Sequence, residues 1–221
     1  MSRAVTQTAR RAATYEDLLA VPEPLVAEIL FGELVTHPRP TSRHAHAASR
    51  LNMILGPPFG RGIGGPGGWV FLPEQELHLG EHVVVPDLAG WRYERFSSFP
   101  ETAWSETAPD WACEVLSPST ESYDRGDKRL IYAEAGVQHL WHINPLLRML
   151  EVYELRDSKW LLLDVFRDDA RVSAAPFAEV RFSLDELWSL GSQPPVQAAQ
   201  PRVRARRAAG TKAGKKRKAR D

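Results

Sequence analysis

Two acidic residues sit inside apolar, strand-like runs, and they restrict how the chain can fold more than any other feature. Glu114 follows Trp111-Ala112-Cys113 and precedes Val115-Leu116. Asp87 closes Val83-Val84-Val85-Pro86 and precedes Leu88-Ala89. Side chains alternate along a strand, so Trp111, Cys113 and Val115 share one face while Ala112, Glu114 and Leu116 share the other. A carboxylate buried in such a run without a partner is costly. The two acids make more sense together than apart: if their strands pair, their oxygens converge on one hard cation. Magnesium keeps several waters and needs only one or two carboxylates.

The rest of the chain supplies elements for that sheet. Thr14-Tyr15-Glu16-Asp17-Leu18-Leu19 reads as a short helix with Thr14 as N-cap and Asp17 at the capping-box position, ended by Pro22 and Pro24. Residues 26–36 read as two strands around a turn at Gly32. Ala47, Leu51, Ile54 and Leu55 recur at helical spacing after a cap at Thr41 or Ser42. A glycine-rich connector over 60–68 leads to strands at 69–72 and 76–79, and then to one strand over 83–89. Residues 97–109 read as a loop. A strand over 111–116 ends at Ser117-Pro118-Ser119-Thr120. One helix over 121–135 is stopped by Gly136. A strand over 138–143, a hairpin of 150–155 with 160–166, a strand over 180–182 and a short helix over 184–190 complete the body. Strands flanked by helices on both sides predict an α/β (α+β) layer fold, a mixed β-sheet with a C-terminal hairpin added.

Charge divides the chain. Of 28 Lys and Arg, ten lie in residues 202–221 with one acid, Asp221, leaving 18 bases against 27 acids elsewhere, a net of −9. The expected organisation is an arm over 1–13, a body over 14–190, a Pro/Gln linker over 191–201 and a disordered basic tail over 202–221. The tail's Arg204, Arg206, Arg207, Lys215, Lys216, Arg217 and Lys218 suit polyanion contact by counterion release, since the acidic body alone would repel nucleic acid. The single cysteine, Cys113, excludes an intrachain disulfide and a cysteine zinc site. No run reaches the roughly 18 apolar residues of a membrane span, and the N-terminus has no apolar segment of the secretory kind. A cytoplasmic protein without a membrane partner is expected.

Asp124, Lys128 and Tyr132 stack at i, i+4 spacing on the helix that follows Glu114. Two readings of that face are open. It is a solvated face with an Asp124–Lys128 ion pair, or it covers the strand end and lets Lys128 reach a metal-bound water or a phosphate. Other signals carry less. His44 and His46 diverge on their helix and make a poor metal pair. Gly64-Gly65-Pro66-Gly67-Gly68 lacks the Gly-Lys-Ser/Thr of a phosphate loop. Cys113, Trp69, Trp91, Trp111 and Trp141 read as core.

The ordered set is specific. Pro86-Asp87-Leu88, then Glu114-Val115-Leu116-Ser117-Pro118-Ser119-Thr120, then Asp124, Lys128 and Tyr132, then Gly136-Val137, Leu140-Trp141 and Pro145 resemble the Uma-type endonuclease family of the PD-(D/E)XK, restriction-endonuclease-like superfamily. Upstream, Ala27-Glu28-Ile29-Leu30-Phe31-Gly32-Glu33-Leu34-Val35 is similar to the family's Tyr-Glu-Leu-Ile-Asp-Gly-Glu-Leu stretch, and His44 falls where the family tends to place a histidine. The resemblance covers about residues 14–190. It implies a restriction-endonuclease-like fold, metal acids at Asp87 and Glu114, and Glu28 as an extra acid near the metal. The lysine of the usual Glu-X-Lys strand is replaced by Leu116, which implies that it has moved to the helix as Lys128. Ala27 stands for the expected Tyr, Phe31 for Asp, and Asn144 for the Asp before Pro145. The implied activity is magnesium-dependent hydrolysis of DNA phosphodiesters, with manganese as a possible substitute ion, and a third reading has the same fold act on another phosphodiester such as RNA. The oligomeric state is open, although cutting both strands would favour a homodimer. The rival reading is a non-catalytic nucleic-acid-binding or assembly protein on the same fold.

Overall fold

The computed structural model describes residues 11–96 and 98–190, so the linker, the basic tail with all its named cations, and residues 1–10 lie outside the described residues. Helix α1 (Tyr15–Leu19) begins as its sequence predicts. Thr14 and Asp17 exchange hydrogen bonds in a capping box, Asp17 Oδ2 accepting from the Thr14 N–H at 2.8 Å. Arg11 pairs with Asp17 at 2.9 Å, and the Ala13 N–H reaches the Gly32 carbonyl at 2.8 Å, which ties residues 11–13 to the following hairpin.

That hairpin is β1 (Leu25–Leu30) and β2 (Glu33–Pro38), turned by Phe31 and Gly32, both with positive φ of 50° and 77°. A two-residue hairpin loop of this kind needs φ > 0 at both positions. Phe31 adopts it without being Asn, Asp or Gly. Its N–H donates to His82 Nδ1 at 3.1 Å and its ring meets the His82 ring edge-on at 4.7 Å. Helix α2 (Ser42–Leu55) is capped by Thr41 and buries Ala47, Leu51 and Leu55.

Next come β3 (Trp69–Pro73), β4 (Glu76–Leu79), β5 (His82–Val84), β6 (Leu88–Arg92), β7 (Trp104–Ser105) and β8 (Trp111–Val115). Helices α3 (Glu121–Arg125) and α4 (Asp127–Glu134) precede β9 (His139–Asn144), β10 (Met149–Arg156) and β11 (Lys159–Arg167). A small pair, β12 (Arg171–Val172) and β13 (Phe182–Ser183), leads into a 3-10 turn over Leu184–Leu187.

The main sheet is mixed, in the order β11-β10-β9-β8-β6-β3, with β8 and β9 parallel and every other pair antiparallel. A second sheet runs β2-β1-β5-β4-β7. Alternation along β8 sorts its residues between two cores. Trp111, Cys113 and Val115 join a cluster with Leu51, Leu55, Trp141 and Phe177, while Ala112 joins another with Leu30, Leu77, Ile131 and Leu140. Trp69, Trp91, Trp111 and Trp141 are all buried, as is Cys113.

Four elements depart from the sequence reading. The expected strand over 83–89 is two strands in different sheets, β5 and β6, because Pro86 has no N–H to continue a ladder. The expected helix over 121–135 breaks at Gly126, whose φ and ψ of −101° and −94° are not helical. A short strand, β7, lies within the expected loop over 97–109. The final helix is the 3-10 turn Leu184–Leu187, preceded by β13.

Candidate active site

The gap between β5 and β6 builds the site. Val85 has left the ladder, and both its backbone groups turn to side chains. Its N–H donates to Glu28 Oε1 at 2.7 Å, and its carbonyl accepts from Lys128 Nζ at 3.2 Å. Two residues on, Asp87 Oδ2 accepts the Val115 N–H at 2.7 Å, so its carboxylate is pinned against the backbone beside Glu114. The Pro86 interruption therefore carries Asp87 from one sheet to the other.

Lys128 lies at the centre. Its Nζ is 2.8 Å from Glu114 Oε1, 3.1 Å from Glu28 Oε1 and 3.5 Å from Asp124 Oδ1. The Tyr132 hydroxyl donates to the same Glu114 oxygen at 2.5 Å. The Asp124–Lys128–Tyr132 stack therefore covers the strand end at Glu114. The break at Gly126 does not separate it, since Asp124 on α3 still reaches Lys128 on α4. Both open readings of that face are partly met: an Asp124–Lys128 pair exists, but it is buried and shared with two more acids.

Glu28, Glu114, Asp124 and Lys128 are only 2–4% exposed. Burial works against the Lys128 charge, but Glu114 and Glu28 outweigh it and hold its pKa well above the usual lysine value. Burial pushes the Glu114 carboxyl up against the pull of Lys128, with Asp124, Asp87 and Glu28 adding to the rise. Asp124 is raised in the same way. Three acids thus crowd one lysine, with Asp87 nearby against His44, and the site is short of positive charge.

Two histidines complete the ring, and the sequence reading assigned neither a role. His44 Nε2 lies 3.3 Å from Asp87 Oδ2, and His37 Nε2 lies 3.5 Å from Glu28 Oε2. His46 turns away toward the Ser189 carbonyl, so the two helix histidines do diverge. Strand pairing places His142 opposite Glu114; burial depresses its pKa to about 3, which keeps it neutral. Nothing in the sequence marks His37 or His44 as a neighbour of an acid. His44 was legible as a first-turn residue of α2 and as the position where the resembled family tends to place a histidine.

Asp87, Glu114, Asp124, Lys128, His37 and His44 line a cavity of about 400 Å³ together with Leu25, Val26, Pro38, Pro40 and the Ser117–Thr120 loop. Leu116, at the usual lysine position, is buried and apolar. Asn144, standing for Asp, accepts the Leu146 and Leu147 N–H groups at 3.1 and 3.0 Å, a task either side chain performs.

Whether these residues suit a divalent cation can be judged from their free oxygens. Among the described residues no three His, Cys, Asp or Glu side chains are grouped to enclose an ion. The donors on offer are two carboxylates. Asp87 Oδ1 and Glu114 Oε2 accept no hydrogen bond among the described residues, while their sister oxygens are engaged. Two free carboxylate oxygens in a site with excess negative charge fit magnesium, which keeps most of its waters.

A family model described as "Uma2: Putative restriction endonuclease" matches residues 12–186. A crystal structure described as a putative nuclease belonging to DUF820, from Anabaena variabilis ATCC 29413, superposes with a TM-score of 0.61 at 24% identity. It covers 80% of this chain and 97% of that one, and so shares the fold. No curated protein matches the chain. The mixed α+β architecture and the family match agree with the resemblance carried by the Asp87, Glu114 and Lys128 motifs. The chain belongs to the Uma2 restriction endonuclease family.

Proposed function

We propose that the protein is a magnesium-dependent endonuclease that hydrolyses phosphodiester bonds of DNA, with the reaction centred on Asp87, Glu114 and Lys128. The observation that carries this reading is the 2.8 Å contact of Lys128 with Glu114, alongside an Asp87 carboxylate held on the Val115 N–H. Asp87 and Glu114 would hold the ion through their free oxygens. When bound, magnesium supplies Lewis-acid polarisation of the phosphate and a more acidic water.

The chain's own groups do the rest. Lys128 is held protonated, so it serves as a fixed positive charge rather than as a base. It offsets charge developing on the phosphoryl oxygens. Its longest contact, 3.5 Å to Asp124, is the one a phosphate oxygen would displace. The family resemblance places Glu28 near the metal, but both its oxygens are engaged, Oε1 by Val85 and Lys128 and Oε2 by His37. Its role in this reading is to position Lys128. His44 steadies Asp87 through its Oδ2, which leaves Oδ1 for the ion.

The test is cleavage of plasmid DNA by the full chain with magnesium or manganese, beside the Asp87→Asn variant. Loss of one such group is expected to lower the rate by roughly 10²–10³, and EDTA should abolish cleavage. Undiminished cutting by Asp87→Asn would remove Asp87 from the reaction, and no magnesium-dependent cutting by the wild-type chain would favour a protein that only binds nucleic acid.

A further inference from the structure

We infer that the candidate site takes an unpaired strand of nucleic acid, with one nucleotide lowered into the cavity, rather than an intact duplex. The inference rests on the hydrolytic reading for its chemistry, but its evidence is the shape and lining of the cavity.

Depth is the first observation. Glu114 and Lys128 are 2% and 3% exposed and lie on the floor of a cavity of about 400 Å³. That volume suits one small-molecule-sized group. A base-paired backbone cannot bring a phosphate to such a floor without its partner strand meeting the walls. A single strand can bend and place one nucleotide inside, as enzymes that act on extruded bases require.

Charge is the second. A protein that grips a duplex neutralises roughly 6–10 phosphates. A wider groove, about 550 Å³, continues from the cavity and shares Thr41, His44, Ser117 and Pro118 with it. Among the described residues, the permanent cations lining the two are Arg39, Arg43 and the already paired Lys128, with His37 and His44 held against Glu28 and Asp87, facing Glu74, Glu76, Asp87, Glu114 and Asp124. This is not a surface that tracks a polyanionic duplex.

The apolar lining is the third. Leu25, Val26 and Pro40 in the cavity, and Pro118, Pro145 and the 56% exposed Leu146 in the groove, offer flat, dry contacts. Such contacts suit base faces, which a duplex hides in its stack and an unpaired strand presents. The Thr41 and Ser42 hydroxyls and Arg43 in the same groove are then available to the few phosphates that pass.

The experiment uses the full chain and four labelled probes of one sequence: single-stranded DNA, single-stranded RNA, blunt duplex DNA, and a duplex with an internal unpaired bubble. Binding by fluorescence anisotropy and cleavage with magnesium are read on all four, at about 0.3 M salt so that the tail's ionic contribution is small. Unpaired DNA or RNA is expected to bind and to be cut about tenfold better than the duplex, with the bubble cut in its open region. The two single strands distinguish the sugar.

Leu146→Asp, an exposed change, should raise KM for the single strand at least fivefold with little change in kcat or in the melting temperature. Cutting with equal or better use of the duplex overturns the inference and leaves the hydrolytic reading standing. Preferential binding of single strands with no cutting upholds the inference and overturns the hydrolytic reading. Equal binding of all four probes with no cutting overturns both.

Discussion

Lys128 is the residue on which the site depends structurally, since it is buried among three acids. Its removal leaves Glu28, Glu114 and Asp124 facing one another without a cation. Breaking a buried ion pair from one side typically costs about 3–5 kcal/mol. Lys128→Met is therefore expected to lose stability as well as activity. The sign of its pH dependence follows from the acids. Glu114 and Asp124 already have raised pKa values, and without the lysine they rise further. A carboxyl with a raised folded pKa stabilises the fold below its unfolded value and loses that contribution as pH rises through the folded one. The stability gap between Lys128→Met and wild type should thus narrow as pH is lowered from about 8 toward 5. Urea denaturation at several pH values measures it; a constant gap would mean that the acids do not depend on Lys128. The asymmetry of this site was partly legible. Asp87 and Glu114 betray themselves as acids in apolar strands, whereas His37 and His44 sit in ordinary polar contexts. Only the tertiary approach of β2 and α2 turns them toward Glu28 and Asp87.

At the scale of elements, the informative places are the two interruptions. Pro86 was a visible signal that a strand over 83–89 cannot continue, because it breaks the donor ladder. What was not visible is that the interruption moves the chain between sheets and frees both polar groups of Val85 for the site. Gly126 is the second. The apolar period runs through it, and a single glycine inside a helical pattern is weak evidence of a break. The structure gives the reason for glycine: a Cβ there would lie 2.8 Å from the Ser122 carbonyl oxygen. Lacking a Cβ, Gly126 allows this close approach at the junction between α3, which holds Asp124, and α4, which holds Lys128. Gly126→Ala should force the two apart at a cost of about 1–3 kcal/mol, lengthening the Asp124–Lys128 contact and lowering turnover. A thermal melt together with a cleavage assay tests this. Unchanged values for both would show that the junction has slack. The hairpin at Phe31-Gly32 makes a related point: a poor turn residue is tolerated because His82 receives its N–H, and the pairing that sets Glu28 in place is kept.

At the scale of the whole molecule, a formal net charge of zero conceals an uneven distribution of charge along the chain. The cavity is acidic and apolar and has few free cations, so it should contribute little long-range attraction for a polyanion. The ten basic residues of 202–221 are placed in sequence beyond a Pro/Gln linker, where they can supply it. Affinity and chemistry would then be separable. Each phosphate engaged by the tail adds roughly 0.9 to the salt slope on duplex DNA and about 0.7 on single strands. Deleting residues 202–221 should therefore flatten the dependence of log affinity on log salt by several units and raise KM at low salt. The turnover number at saturating substrate should stay close to that of the full chain, since Asp87, Glu114 and Lys128 are untouched. Titrations between about 50 and 200 mM salt cover the range in which such contacts change affinity most. A slope that survives the deletion would place nucleic-acid capture on the body, where Arg39 and Arg43 beside the cavity would be the first residues to test. A fall in turnover at saturation would instead make the tail part of the reacting complex.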